Sequence, residues 1–335
     1  MEKLLSVVVP AYNVEQYLQS CLDSLLDTKE REKTEILVVD DGSKDTTWNI
    51  AVTYQEKYPS IVRAIHKENG GHGSTINVGI REATGKYFRV LDSDDSVDSN
   101  AYDSYLKKLA QTDCDLVVTP FTCVWYKGNT VVKEKERCIE GAEQLEKGIT
   151  YSFKDVADKL FVRMHEWTIK TEILKEHHIA LTEHSFYVDM QYVLFPVPWI
   201  KTICVFTDNV YRYRLGMEGQ SVSVKNMQKN REQHKNVLCS LVHFYTERKA
   251  AEDVEAVLAY LANGIAKMQA DEVQIALSMP IGKEAKEQLT AQERYLKEEC
   301  LAAYEANGKM SIKLLRWSRY GLYKVAAVMW RVVKK

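Results

Sequence analysis

The first 122 residues alternate between short apolar runs and longer segments whose apolar residues recur with helical spacing. The predicted strands are residues 6–9, 35–39, 61–65, 86–91 and 115–121, and the predicted helices are residues 14–26, 45–58, 74–83 and 100–110. Strands that alternate with helices of about 10–15 residues indicate βαβ units. We therefore predict an α/β fold with a mainly parallel central sheet and flanking helices.

Polar and glycine-rich segments follow four of these predicted strands. They read PAYN at residues 10–13, DDGS at 40–43, ENGGHGS at 68–74 and DSDD at 92–95. Ligands of parallel α/β sheets bind outside the carboxyl ends of the strands. The four segments are thus expected to converge on one site.

Three carboxylates lie within the four residues Asp92, Ser93, Asp94 and Asp95. Mg²⁺ and Mn²⁺ prefer oxygen ligands, and Mg²⁺ commonly shares one or two carboxylates with substrate phosphates. The cluster therefore predicts a divalent-cation site. The alternative is an ordinary turn or helix cap, in which Asp and Ser are frequent.

Two further segments suit a nucleotide. Asp40 and Asp41 could accept hydrogen bonds from a base or a ribose, or could instead form an Asp-Gly turn and cap a helix. Glycines after the third strand permit close backbone approach at a helix start, where anions are favoured. The segment matches neither the dinucleotide fingerprint nor the P-loop, which argues against dehydrogenases and P-loop enzymes.

A candidate general base lies in the aromatic, apolar run FYVDMQYVLF. Asp189 is expected to be partly desolvated there, which would raise its pKa and suit proton abstraction. The alternative is a helix cap. Downstream, Arg214 could neutralise a leaving diphosphate, and His234 could add a metal ligand. Either could equally be an ordinary surface or hydrogen-bonded side chain.

Composition excludes several classes of protein. A net charge of −2 over 335 residues gives no general attraction to nucleic acid. Seven scattered cysteines without a CxxC pair indicate a reducing, cytoplasmic setting with neither disulfides nor a zinc site. The N-terminus resembles a first strand and not a signal peptide, and no apolar run reaches the roughly 18–20 residues of a membrane span.

Residues 226–305 are predicted to be mostly helical, and residues 311–335 to form a basic amphipathic helix. No acidic residue follows Glu305, and the cations of this tail occupy a sector opposite Leu and Val residues. This pattern is typical of a helix on an anionic membrane surface, such as the inner face of the plasma membrane. The alternative is a terminal helix that packs on its own domain.

Together, the segments VVVPAYN, ILVVDDGSKDTT, NGGHGSTINVG, VLDSDD and FYVDMQY resemble the family 2 glycosyltransferases of bacteria, which have the Rossmann-like GT-A fold. The resemblance is specific over residues 5–95 and extends to about residue 225. It implies a catalytic domain at 1–225, with a donor half at 1–122 and an acceptor half at 123–225. Residues 226–335 would be a C-terminal helical region.

The family resemblance also implies roles for individual residues. The donor-binding residues would be Pro10, Ala11, Tyr12, Asp40, Asp41, Asn69, Gly70, Gly71, Asn77, Asp92, Ser93, Arg214 and Gln220. Asp94, with Asp92 and His234, would hold Mn²⁺ or Mg²⁺. Asp189 would be the base, although the Glu-Asp pair typical of the family reads Val188-Asp189 here.

The implied activity is a metal-dependent, inverting hexosyl transfer from a UDP-sugar to an acceptor hydroxyl. The acceptor would be a glycan, a lipid-linked or a protein-linked molecule in the synthesis of surface polysaccharide or glycoconjugate. Two alternatives are a non-catalytic nucleotide-sugar-binding module and a sugar nucleotidyltransferase of similar fold. The second is disfavoured because PAYNVEQY stands where it would carry a glycine-rich, arginine-bearing loop.

Overall fold

A computed structural model describes residues 2–128, 130–216 and 223–333. The chain forms two compact units, one reaching to residue 218 and the other beginning at residue 219. Each has its own hydrophobic core.

The first unit contains twelve strands among its described residues. They are β1 (Leu5–Ala11), β2 (Thr34–Asp40), β3 (Val62–His66), β4 (Tyr87–Val90), β5 (Ser96–Val97), β6 (Leu116–Val118), β7 (Phe121–Lys127), β8 (Thr130–Arg137), β9 (Thr150–Ser152), β10 (Trp167–Lys170), β11 (Thr202–Val205) and β12 (Tyr211–Leu215). Eight of them form one sheet in the order β3-β2-β1-β4-β10-β6-β11-β9. The pairs β3–β2, β2–β1, β1–β4 and β6–β11 are parallel, which confirms the predicted α/β architecture.

Helices cover this sheet on both faces. They are α1 (Leu18–Leu26), α2 (Thr47–Lys57), α3 (His72–Glu82), α4 (Ser99–Leu109), α5 (Thr171–Glu176) and α6 (Asp189–Leu194). Alternate residues of β1 explain the layers: Val7 and Val9 belong to the core shared with α1, α2 and α4, whereas Val8 meets Gly79 of α3 on the other face. Each such fully buried aliphatic side chain contributes about 1.5–3 kcal/mol.

The central position of β10 was not predicted. It is antiparallel to both β4 and β6 and lies between them in the sheet. An antiparallel strand begins where its parallel neighbours end. The residues just before Trp167 therefore lie at the same edge of the sheet as the DSDD segment.

A second, four-stranded sheet has the order β5-β12-β7-β8. Its short strand β5 follows the DSDD segment directly and pairs with the start of β12, so that Arg212 lies opposite Ser96. This pairing brings the YRYRL segment alongside the acidic cluster.

The second unit is helical in its described part. Its helices are α7 (Val224–Lys229), α8 (Arg231–Ala250), α9 (Glu255–Ser278), α10 (Lys283–Glu299), α11 (Leu301–Ala306), α12 (Met310–Trp317) and α13 (Tyr323–Val333). The basic tail, expected to be one helix from residue 311, is two helices, because the chain turns between them with positive φ angles at Arg319 and Tyr320. Among the described residues, no helix combines the length and apolarity needed to cross a membrane.

Candidate active site

The acidic segment after β4 forms a tight turn. The amide of Asp95 donates to the carbonyl oxygen of Asp92 at 3.0 Å, so the first and fourth residues of DSDD come together. Within the described chain, one ligand atom each from Asp92, Asp95 and His165 lie within 4.8 Å of one another. Such a group of two carboxylates and an imidazole can hold a divalent cation.

This trio differs from the predicted set of Asp92, Asp94 and His234. Asp95 belongs to this group because the turn brings residues three apart together, and the predicted roles of Asp94 and His234 as ligands stay predictions. His165 joins because it lies in the short turn just before the antiparallel strand β10, at the edge where β4 ends. The available signal was a histidine (RMHEW) just before an apolar run.

His165 is suited to a ligand role by its environment. Its ring lies 5.0 Å from that of Phe121 and 4.4 Å from that of Tyr213, measured between centroids. Burial lowers its pKa to about 4, so the imidazole is neutral at physiological pH, as metal binding requires. Its Nδ1 is buried and has no hydrogen-bond partner among the residues described.

The carboxylates repel each other. Burial, followed by the charges of Asp94 and Asp92, raises the pKa of Asp95 well above its ordinary value. Burial and then the charge of Asp92 raise the pKa of Asp94 to about 6. A cation would relieve both effects, so the residues present fit a divalent metal.

Tyr211 and Arg214 of β12 hold the acidic turn in place. The Tyr211 hydroxyl donates to Asp95 Oδ2 at 2.5 Å and accepts from the amide of Asp92 at 3.2 Å. The amide of Arg214 donates to Asp95 Oδ1 at 2.6 Å, and its Nε donates to the Asp94 carbonyl oxygen at 2.8 Å. The Arg214 guanidinium lies 3.9 Å from the ring centroid of Tyr126. Gln220 lies outside the described residues.

His72, at the start of α3, is a second site residue that the sequence did not single out. Its Nε2 lies 3.0 Å from Asp92 Oδ1. Burial alone would lower the pKa of His72, but the hydrogen bond to Asp92 and the charges of Asp92 and Asp189 raise it above its ordinary value. The pair ties the glycine-rich loop to the acidic turn.

Asp40 and Asp41 both have hydrogen-bond partners within the chain, and their predicted contact with a base stays a prediction. Asp41 accepts from the amides of Gly70 and Gly71 at 2.9 and 2.8 Å and from Lys67 Nζ at 2.8 Å. Asp40 is fully buried and lies 2.6 Å from His66 Nδ1. Asn69 Nδ2 donates to the Asp41 carbonyl oxygen at 2.9 Å. The Asp41 carboxylate thus shapes the loop that follows β3, whereas Asp40 contacts the last residue of that strand.

The glycines of this loop lie where the backbone conformation or a neighbouring segment of the chain disfavours a side chain. Gly71 has a φ of +83°, and a Cβ at Gly73 would lie 2.3 Å from the carbonyl oxygen of Thr182. Asn77, on α3, exchanges two hydrogen bonds with the backbone of Leu181, at 2.8 and 2.9 Å. The loop and α3 therefore hold the segment that leads to Asp189, and the predicted contact with the diphosphate stays a prediction.

Asp189 is the first residue of α6 and is exposed, which corrects the expectation that it is partly desolvated. Val188 before it is fully buried and anchors the helix start. The charge of Asp189 contributes to the raised pKa of His72 and, after burial and the three acidic-turn carboxylates, to that of Tyr213. The predicted base therefore lies near the cation cluster.

The remaining predicted donor residues flank the same sheet edge. Pro10 and Ala11 are buried at the end of β1, where the Ala11 carbonyl accepts from the Asp41 amide at 2.8 Å. Tyr12, directly after them, is 49% exposed and can offer its ring to a planar group. Ser93 is buried within the acidic turn.

His234 belongs to α8 of the helical unit, and its predicted role as a metal ligand stays a prediction. It is 2% exposed within the helical unit, where its Nδ1 lies 2.6 Å from Glu272 Oε1. Arg231 Nε lies 3.6 Å from the other oxygen of Glu272. His234 thus has a buried polar contact with Glu272 inside the second unit.

Comparisons with known proteins agree with this geometry. The family model "Glycosyl transferase family 2" matches residues 6–175, just over half of the chain. Among curated proteins, the chain is 37% identical over 127 residues to the uncharacterized glycosyltransferase EpsJ of Bacillus subtilis, covering 38% of this chain and 35% of EpsJ. It is 37% identical over 119 residues to the glycosyltransferase GlyG of Streptococcus pneumoniae, covering 35% of this chain and 39% of GlyG. The match thus spans little more than a third of each of these relatives.

Solved structures show the same fold. The S. aureus TarS fragment 1–349 in complex with UDP-GlcNAc superposes with a TM-score of 0.65 at 19% identity, covering 98% of this chain and 91% of that one. The mannosyltransferase PcManGT of Pyrobaculum calidifontis, in complex with GDP-Man and Mn²⁺, gives 0.50 at 17% identity, covering 100% and 88%. These likenesses confirm the expected GT-A fold, and the family match shows that the chain belongs to glycosyltransferase family 2.

Proposed function

We propose that this chain is an inverting glycosyltransferase that moves a sugar from a UDP-sugar to an acceptor hydroxyl. We further propose that the acceptor belongs to surface polysaccharide or glycoconjugate synthesis and that the enzyme works in the cytoplasm or at the inner face of the plasma membrane. The seven cysteines, all free, are compatible with a reducing compartment.

The observation that carries the proposal is the cluster of Asp92, Asp95 and His165 at the carboxyl edge of the sheet. A divalent cation bound there would supply charge stabilisation for the departing diphosphate. UDP as the leaving group is supported by TarS, whose structures contain UDP-GlcNAc or UDP, and a cation by PcManGT, whose structure contains Mn²⁺.

Individual residues of the chain would have separate roles in this transfer. Tyr12 would lie against the base, and Arg214, held next to Asp94, would face the diphosphate. Asp189 would take the proton of the acceptor hydroxyl as that oxygen attacks the anomeric carbon. One such displacement inverts the configuration of the donor sugar. The exposure of Asp189 suits it to an acceptor that enters from solvent.

The test is a panel of UDP-sugars with candidate acceptors and Mn²⁺ or Mg²⁺, followed by UDP release and by product analysis. Asp189→Asn should retain metal-dependent UDP binding and lose transfer by about a hundredfold or more. Asp95→Asn should lose the metal dependence itself. Asp158→Asn, at an exposed site in a short 3-10 helix, is the matched control. UDP binding without transfer to any acceptor would favour the binding-module alternative, and normal transfer by the Asp189 variant would refute its role as base.

A further inference from the structure

The two terminal helices α12 and α13 each pack one side on the helical unit. Ile312 and Leu315 of α12 and Tyr323 and Ala327 of α13 are at most 2% exposed and belong to its core. The Tyr323 hydroxyl donates to the Ala276 carbonyl oxygen at 2.8 Å. One side of each terminal helix is therefore buried, as expected for a terminal helix that packs on its own domain.

A second apolar row points outward on each helix. It consists of Met310, Leu314 and Trp317 on α12 and of Val325, Val328, Met329 and Val332 on α13, with exposed fractions between 48% and 80%. The four residues of α13 follow the spacing i, i+3, i+4, i+7 that defines one helical face. Contiguous exposed apolar surfaces of this kind mark a site of interaction with a membrane or with another molecule.

The charged side chains within the tail itself are all positive. No acidic residue occurs between residues 306 and 335. Lys313 neighbours Leu314, and Lys324 neighbours Val325; both lysines and Arg319 are exposed. By contrast, Arg316 is turned inward onto Glu293 at 2.6 Å, and Arg331 donates to the Met279 carbonyl oxygen at 2.5 Å. Arg316 and Arg331 are therefore bonded within the helical unit, whereas the exposed cations lie beside the apolar rows.

We propose that the outward faces of α12 and α13 form a docking surface for an anionic lipid bilayer. The apolar rows would enter the interfacial region, with Trp317 at the headgroup level, and Lys313, Arg319 and Lys324 would meet lipid phosphates. A second copy of the chain suits this surface less well, because a two-fold interface would set the same cations against each other. The inference does not depend on the proposed sugar transfer.

The experiment is cosedimentation of the full chain with vesicles of phosphatidylcholine, alone or mixed with phosphatidylglycerol. The wild-type chain should bind the mixed vesicles, more weakly at high salt. Trp317→Gln with Val328→Gln, and separately Lys313→Gln with Lys324→Gln, should each weaken binding by about tenfold or more. Val131→Gln with Val132→Gln, an exposed apolar pair on β8, is the control and should bind normally.

Circular dichroism and turnover of a soluble acceptor report folding and activity separately from docking. The lysine variant alters only exposed side chains, so it keeps the test decisive if the apolar variant unfolds. Three results would overturn the proposal: equal binding by wild type and both variants, equal binding to vesicles without phosphatidylglycerol, or a dimer in light scattering that the apolar variant splits while no vesicles bind. If the wild-type chain bound the vesicles but transferred no sugar, the proposed function would be contradicted and the docking proposal would stand.

Discussion

At Gly73, the carbonyl oxygen of Thr182 occupies the space in which any other residue would carry its Cβ atom. A separation of 2.3 Å is far inside van der Waals contact, and the atom that would have to yield is backbone. Glycine is therefore required here by the close approach of a segment more than a hundred residues away along the chain, the segment that leads to Asp189.

We expect Gly73→Ala to push residues 181–185 away from α3 and to lower the rate of transfer more than it lowers UDP affinity. The free energy of unfolding should fall by about 1–3 kcal/mol, as is typical of overpacking. Gly308→Ala, where a Cβ would meet no atom within 4 Å, is the control. Kinetics and chemical denaturation check both variants, and a Gly73→Ala enzyme with wild-type kinetics would contradict the expectation.

A second prediction at this scale concerns Glu166, next to His165. Burial raises its pKa to about 7 from an ordinary value of 4.5, although its carboxylate accepts from the Arg163 amide at 2.7 Å. The folded chain therefore binds this proton more tightly than the unfolded chain. Its contribution to stability is complete below pH 4.5 and is lost as pH rises towards 7.

Glu166→Gln should remove this pH dependence. The wild-type protein should lose stability relative to the variant as pH rises from 4.5 to 7, by roughly 3 kcal/mol at most. Asp158→Asn, at an exposed carboxylate in a short 3-10 helix, serves as the control. Urea denaturation over that pH range measures the difference, and parallel curves for the wild type and Glu166→Gln would show that the Glu166 pKa is not raised.

Among the elements, β12 matters most for the site, because its Tyr211 hydroxyl contacts both ends of the acidic turn. Tyr211→Phe removes one bond to the Asp95 carboxylate and one to the Asp92 amide while preserving the buried ring. Outer partners of metal ligands typically contribute about 10–100-fold in metal affinity. We expect a loss of Mn²⁺ affinity in this range, measured by titration calorimetry.

Tyr192→Phe is the matched control for this prediction. Tyr192 is also fully buried, and its hydroxyl has no hydrogen-bond partner among the described residues. Its loss should leave Mn²⁺ affinity unchanged. Similar losses in both variants would indicate a general effect of core hydroxyls and would refute a specific role for Tyr211.

The elements also show which part of the site could be predicted from the sequence. Strands β1 to β4 carry local periodicity, so the order of motifs along the chain was enough to place Tyr12 and Asp92 at one edge. The direction of β10 depends on its pairing with β4, which lies about eighty residues earlier in the sequence. A local sequence pattern cannot predict such a pairing. The grouping of His165 and Asp95 with Asp92 was not predicted for this reason, because it depends on how strands and turns come together in space.

The structure of the basic tail could likewise be predicted only in part from the sequence. Helical spacing predicted an amphipathic segment, but it could not show the turn at Arg319 and Tyr320 that divides it into two helices. Spacing also could not separate cations bonded inside the unit, such as Arg316, from exposed ones, such as Lys324. That division depends on partners such as Glu293, which lies on α10.

For the whole molecule, the informative fact is that each unit has a core of its own. One core cluster of the sheet unit draws its buried residues from positions 5–211, and one of the helical unit from positions 270–327. His234 belongs to the second unit, where Glu272 engages its ring. The cation cluster, by contrast, is built entirely within the first unit.

We therefore expect the fragment 1–218 to fold alone and to bind Mn²⁺ with nearly the affinity of the full chain. Asp92, Asp95 and His165, together with Tyr211 and the arginine at 214, are all retained in it. The variant His234→Gln in the full chain should likewise leave Mn²⁺ affinity unchanged, while it lowers the stability of the helical unit, because it leaves Glu272 without its closest partner. Titration calorimetry on fragment, variant and wild type makes the comparison, with thermal unfolding as the check on folding. If Mn²⁺ affinity fell together in a folded fragment and in a folded His234→Gln chain, His234 would be a metal ligand after all, and the cluster of Asp92, Asp95 and His165 would be an incomplete account of the site.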